Sequence, residues 1–246
     1  MRRLIALAYG VATHGLFLVG VGAMAWSLWG ELRLGFGRLE GSGRVAVNLA
    51  LLLQFPLLHS WLLGSKGRAC LGRAAPSSAR SSLGTTLFAA AASLQLLLVF
   101  GAWSPGPGPS WQPEGGLLVV WTGAYVASWL LLGKAMLDAG LGIQLGYLGW
   151  VALLRGVPPR YGALAEHGLF RRCRQPIYLA FALILWTGPV WNADHLLVAL
   201  VWSAYCYVGP RFKERRYAAR FGRTFDAYRA RVPYFLPAFG RSARAR

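Results

Sequence analysis

At 246 residues, 56% hydrophobic and only 14% charged, with a mean hydropathy of +0.43, the chain is too apolar for an ordinary soluble domain, whose charged share averages about 25%. Its apolar residues fall in blocks of about 20, long enough to cross a bilayer, so the expected fold is all-α: a polytopic integral membrane helical bundle built as one unit. The net charge is +18, and the basic residues flank the apolar blocks, eleven of the 26 lying between Arg211 and Arg246. That placement points to lipid headgroups or an anionic cofactor and away from nucleic acid.

The first predicted span is Leu4 to Trp29, which carries no A-x-A-like cleavage pattern and reads as retained. A Gly-rich polar loop, Glu31 to Arg44, leads to a second span, Val45 to Leu63, with Gln54, Pro56 and His59 in its second half. Gly64 to Ser82 reads as a basic loop, Leu83 to Trp103 as the third span, and SPGPGPSWQPEGG as a turn region without Lys or Arg. Leu117 to Leu137 is the fourth span; Asp138 to Arg160 is expected to extend it or to lie along the membrane surface. Ile177 to Val190 and Leu196 to Val208 are short apolar arms around a tight turn and read as a helical hairpin over residues 177–208. The tail from Arg211 alternates Phe212, Tyr217, Phe221, Phe225 and Tyr228 with arginines, the pattern of an amphipathic interfacial helix.

Loop charges set the expected topology. Arg2 and Arg3, the basic 64–82 loop, the 134–175 region and the tail all fall on the cytoplasmic side in a six-crossing arrangement with both termini inside. The first outer loop, with Arg33, Arg38 and Arg44, runs against the rule. Cys70, Cys173 and Cys206 show no metal-ligand spacing and no disulfide framework, so no metal site is expected. Membrane lipids are the expected contacts, with no obligate protein partner evident.

The chemistry gathers at the two ends of the hairpin. HGLFRRCRQPIYLAF packs Arg171, Arg172 and Arg174 against the start of the first arm, with Pro176 placed to open a helix and Tyr178 just behind it. KERRYAARFGRTFDAYRARVPYFLP follows the second arm and brings Glu214 back to the same membrane face. Arginines there can hold an anion at the membrane's edge; Arg171 and Arg172 read as headgroup anchors. Asp138, beside the fourth span, and His59 complete the polar set facing that side.

These two segments resemble the C-terminal signature of the isoprenylcysteine carboxyl methyltransferase superfamily: Gly-x-Tyr-x-x-x-Arg-His-Pro-x-Tyr, a hairpin, then an acidic pair, Phe-Gly, spaced tyrosines and a closing Pro. LLHSWLLGSKGR, ARSSLGTTLFAAAASLQLLLVFGAW and DAGLGIQLG are similar to the methanethiol S-methyltransferase and NnrU-like branch. The resemblance implies one integral-membrane methyltransferase domain over 1–246, with four spans in 1–137 and a cofactor-site core in 138–246. It implies methyl transfer from S-adenosylmethionine to a small thiol or lipophilic acceptor, in a bacterial inner membrane. An NnrU-like haem protein or accessory factor, or a lipid-binding or transport relative, is the alternative it leaves.

Carried over by position, the resemblance makes Gly168, Phe170, Arg174, Gln175, Pro176, Tyr178 and Glu214 cofactor-binding. Arg174 would meet the cofactor carboxylate, and Glu214 its amino group or ribose. His59 and Asp138 would shape the acceptor end. The chain departs from the pattern at Phe170 (a Tyr in the family), Gln175 (a His) and Lys213 (the first acid of the pair). Glutamine still donates and accepts hydrogen bonds but cannot titrate, and Lys213 reverses a charge.

Overall fold

The computed structural model describes residues 1–237 and is all-helical among them. The end of the expected domain, with Arg241, Arg244 and Arg246, lies outside the described residues. Four helices are long and apolar enough to cross a membrane: α1 (Arg2–Trp29), α2 (Gly41–Leu62), and two more spans, Gly84–Ala102 and Gly115–Ala139. Each lies within a few residues of its predicted span.

The basic 64–82 stretch is not a plain loop. It holds a helix, α3 (Ser65–Gly72), and a 3-10 turn, Ser77–Ala79, before α4 (Gly84–Ala102) begins. The arginines that made it look like a loop cap helix ends: Arg68 Nη1 donates to Leu63 O, at the end of α2, at 2.7 Å, and Arg80 Nε to Gly72 O, at the end of α3, at 2.9 Å. Cationic side chains stabilise carbonyls left open where a helix ends. After α5 (Gly115–Ala139), Gly140 at φ 93° stops the helix, so the next stretch does not extend it. Instead α6 (Leu141–Gln144) leads into α7 (Tyr147–Arg155), which packs against α1 and α4. Thr86 Oγ1 joins them, donating to Gly146 O at 2.7 Å and accepting from Trp150 N at 3.0 Å.

Small residues set the closeness of α1 and α4, as expected where lipid tails give helices no hydrophobic drive to associate. A Cβ on Gly20 would lie 2.8 Å from Ser93 O. Gly20→Leu is therefore expected to cost about 1–3 kcal/mol by overpacking, read as a lower unfolding midpoint in detergent. Gly20→Ala should cost less.

The hairpin is α8 (Pro176–Thr187) and α9 (Ala193–Phe221), followed by α10 (Arg223–Arg231). Pro176 opens α8 where its missing N–H costs nothing. Asn192 caps α9, accepting from His195 N at 2.8 Å. The returning arm does not stop at Val208: α9 runs through Pro210 to Phe221, 29 residues in all. The amphipathic tail is thus the end of α9 plus α10. Contacts of the extension with α8 and the segment before it, described below, hold it helical past a proline that would otherwise weaken it.

At the far end of the bundle, Asp194 is buried and accepts from Arg44 Nη1 at 2.8 Å, Trp103 Nε1 at 3.2 Å and Gly106 N at 2.7 Å. Arg33 Nε donates to Glu31 at 2.6 Å. Two of the three arginines that break the loop-charge rule are therefore paired with acids on their own side.

Candidate functional site

The site is built from the segment before α8 and the extension of α9. It starts at Asp138, near the end of α5. Its carboxylate pairs with Lys134 and accepts from Leu169 N at 2.8 Å. Gly168, at φ 56°, lies so close to that carboxylate that a Cβ would collide with it, so only glycine lets the chain pass. The 3-10 turn Gly168–Arg171 follows. Phe170 is buried, and its carbonyl accepts from Tyr228 Oη at 2.8 Å. Burial pushes the Tyr228 hydroxyl pKa up, keeping it a donor. Arg174 N donates to Pro233 O at 3.0 Å, fixing the turn to the end of the tail.

Here the two motif segments meet, although 40 residues separate them. Arg174 Nε and Nη2 reach Glu214 Oε1 and Oε2 at 2.8 and 3.3 Å, a fork-on-fork pair. Arg174 Nη1 donates to Arg229 O and Val232 O at 3.0 and 2.6 Å. Four of the five guanidinium N–H groups are thus occupied within the chain. Gln175 is 1% exposed and its Nε2 donates to Glu214 Oε1 at 2.8 Å, while its Oε1 is buried without a partner. A buried acceptor left open is costly unless something fills it.

Lys213, next to Glu214, points elsewhere. Its Nζ lies 5.5 Å from the ring centroids of both Tyr178 and Tyr217. The described residues offer it no ion-pair partner. Arg216, one turn on, lies within Coulombic reach of Tyr178, Tyr205, Tyr217 and His59. It too has no carboxylate partner among the described residues.

A run of aromatic contacts continues the site toward α2. Tyr178 meets Tyr205 edge-on at 6.2 Å, Tyr205 meets Phe55 at 6.4 Å, and Phe55 stacks on His59 at 5.1 Å. His59 also lies against Phe88 at 4.7 Å, and its Nδ1 is buried without a partner.

The structure therefore brings Arg174, Gln175 and Glu214 into direct contact, with Pro176 and Tyr178 on the adjoining turn of α8. Gly168, Phe170 and Asp138 form a brace one step back. His59 stands at the other end of the aromatic run. Arg216, Tyr205 and Tyr217 were not among the predicted site residues. The signal for them was their spacing: Tyr205, Lys213, Arg216 and Tyr217 lie at helical intervals that share one face. A groove of about 630 Å³ at the far end, lined by Arg33, Phe36, Arg38 and Pro105 among others, holds none of the predicted site residues.

A methanethiol S-methyltransferase of Mycobacterium tuberculosis is 30% identical to this chain over 250 aligned residues, covering 96% of this chain and 98% of the relative. The chain belongs to the methanethiol S-methyltransferase family. A second member of the methanethiol S-methyltransferase family, methanethiol S-methyltransferase 2 of Bradyrhizobium diazoefficiens, is 31% identical over 197 residues, 78% of this chain and 73% of its own. Pig (Sus scrofa) Nurim is 29% identical over 170 residues, 65% of this chain and 63% of its own. No family model matches the chain, and no solved structure matches it. In this methanethiol S-methyltransferase family member, the departures at Gln175 and Lys213 sit on either side of Glu214: one is bonded to it and the other adjoins it in sequence.

Proposed function

We propose that the chain is an integral-membrane methyltransferase that moves a methyl group from S-adenosylmethionine to a small thiol at the foot of the hairpin. One observation carries this reading: the two methyltransferase-like segments close on each other through Arg174, Gln175 and Glu214. The relatives named methanethiol S-methyltransferase, matched over most of the chain, supply the reaction class.

The residues fit the donor. The unpartnered Gln175 Oε1 is an acceptor for an ammonium group. The tyrosine faces that already flank a cation suit a sulfonium. Arg216, without a carboxylate partner, suits a carboxylate. When bound, S-adenosylmethionine supplies an electrophilic methyl carried on that sulfonium. Arg174, with four donors spent inside the chain, holds Glu214 and Gln175 in place and closes the tail over them. Asp138, Gly168 and Phe170 fix the segment that presents Arg174, and Pro176 starts the helix that presents Tyr178. His59 closes the acceptor end with a titratable nitrogen still open. Positioning the reactants and excluding water are what such a displacement chiefly needs.

The same reading puts the hairpin across the membrane, its 12-residue first arm lengthened by the residues before it, and both termini on the cytoplasmic side of a bacterial inner membrane. Asp194 and Glu214 are 20 residues apart on α9, about 30 Å along a helix, which matches the hydrocarbon core.

The test is transfer of labelled methyl from S-adenosylmethionine to a panel of thiols. The native chain is expected to transfer, and Gln175→His to retain transfer, because a histidine still offers a donor to Glu214. Gln175→Leu loses that hydrogen bond and the open acceptor, and should weaken donor binding by about 1–3 kcal/mol. No transfer to any thiol by the native chain would overturn the reading.

A further inference from the structure

Lys213 stands beside the hub of the site, at the position where the related motif has an acid. No carboxylate holds it there. Glu214 is engaged by three N–H donors from Arg174 and Gln175, and Lys213 shares no ion pair with any described residue. Its half-buried amine lies instead over two tyrosine rings from different helices. Tyr178 of α8 and Tyr217 of α9 each have their centroid 5.5 Å from Nζ. Aromatic faces attract a cation through the ring quadrupole, so the arrangement holds the lysine as an ammonium.

The methyl donor brings a second cation to the same two faces. A seat of this size cannot keep both, because like charges so close repel even near a protein surface. We propose that Lys213 is the resident cation of the sulfonium seat: S-adenosylmethionine binds by displacing its ammonium, and the displaced charge, kept close by the lysine stem, sets how the site distinguishes the loaded donor from the spent one. This rests on the methyltransferase reading above. The stem is long and flexible, so the head can swing toward the cytoplasmic surface without moving α9. Glu214 and Gln175 stay where Arg174 holds them, so the rest of the donor site is unchanged by the exchange.

The consequence follows the donor's charge through the reaction. The acceptor reacts as its thiolate, its proton already lost to water. The thiolate electron pair forms the new S–CH3 bond as the methyl leaves the sulfonium, whose bonding pair stays with the donor sulfur. That sulfur ends as a neutral thioether. Repulsion between the ammonium and the sulfonium therefore weakens as the methyl departs. An interaction that disfavours the bound donor and is relieved in the transition state weakens donor binding and raises kcat. S-adenosylhomocysteine, the spent donor, carries no charge on sulfur and does not compete for the ring faces, so it leaves the ammonium seated.

Lys66 and Lys134 are the only other lysines, so the seat can be watched in the native chain. NMR of protein with isotope-labelled lysines should show one side-chain methylene resonance beside the amine moved upfield by the rings, and absent in Lys213→Met. Saturating S-adenosylmethionine should return it toward the ordinary lysine position; S-adenosylhomocysteine should leave it where it is. Calorimetry then grades the charge at this position. Lys213→Met should bind S-adenosylmethionine about tenfold more tightly than the native chain. Lys213→Glu should bind it more tightly still, and Lys213→Arg, which keeps the charge, close to native. All three should bind S-adenosylhomocysteine like the native chain. In the transfer assay, Lys213→Met should lower kcat and the KM for the donor together, as removal of ground-state strain does. An upfield resonance that saturating S-adenosylmethionine leaves in place would overturn the displacement while leaving the methyltransferase reading intact. So would a Lys213→Met variant that binds S-adenosylhomocysteine normally but S-adenosylmethionine no more tightly than native. A native chain that binds no S-adenosylmethionine would overturn both.

Discussion

Glu214→Ala is expected to lower the unfolding free energy by about 3–5 kcal/mol and to abolish donor binding. Glu214 is the hub of the site: it accepts from Arg174 Nε, Arg174 Nη2 and Gln175 Nε2. The side chains of Arg174 and Glu214 are only 10% and 13% exposed. Removing the acid strands a guanidinium away from bulk water and leaves Gln175, already short of one partner, without either. That is the costly way to break a buried pair, because the remaining charge has nothing to compensate it. The pair Arg231–Glu166, exposed at 60% and 32%, is the control. Its loss through Glu166→Ala should cost no more than about 1 kcal/mol. Denaturant or thermal unfolding in detergent, run on both variants, reads the difference. Glu214→Gln keeps the shape and one acceptor, and should fall between them.

The second large effect is expected at the opposite end of α9. Asp194→Ala removes the acceptor shared by Arg44, Trp103 and Gly106, with side-chain exposures of 17% for Arg44 and 8% for Asp194. The same argument gives a loss of about 3–5 kcal/mol in stability. The consequence for activity is different. Twenty residues, about 30 Å along the helix, separate Asp194 from Glu214, so the fraction of Asp194→Ala that folds should bind donor and transfer methyl like the native chain. Stability and specific activity, measured on the same preparation, separate a brace from a site.

What was legible in the sequence follows from what each element depends on. The four long spans depend on composition over about 20 residues, which a sequence displays directly. Helix α3 was hidden because its arginines turn back onto helix-end carbonyls, Arg68 onto the end of α2 and Arg80 onto the end of α3, and those same arginines read as loop charge. The length of α9 was hidden by Pro210 and by the arginines after it, which resemble a stop. What carries the helix past them is contact of Glu214 with the segment before α8 and of Lys213 with Tyr178 of α8, and that contact is tertiary.

In the site, Arg174, Gln175 and Glu214 were legible as motif positions. That Arg174 spends its donors on Glu214 and on the carbonyls of the tail required the fold. The Lys213–Arg216–Tyr217 face was present as helical spacing but looked like an interfacial tail, since arginines between aromatics suit either setting. Arg44 and Asp194 are 150 residues apart, and nothing local announces their pairing; the breach of the loop-charge rule at Arg44 was its only trace.

The central claim is that the junction of Arg174, Gln175 and Glu214 holds the methyl donor. Calorimetric titration of S-adenosylmethionine into the purified native chain, Glu214→Ala and Asp194→Ala tests it most directly, with the folded fraction of each determined first. The native chain and folded Asp194→Ala should bind with the same affinity, and folded Glu214→Ala should not bind measurably. Native-like binding by folded Glu214→Ala would contradict the account and place the donor elsewhere in the bundle.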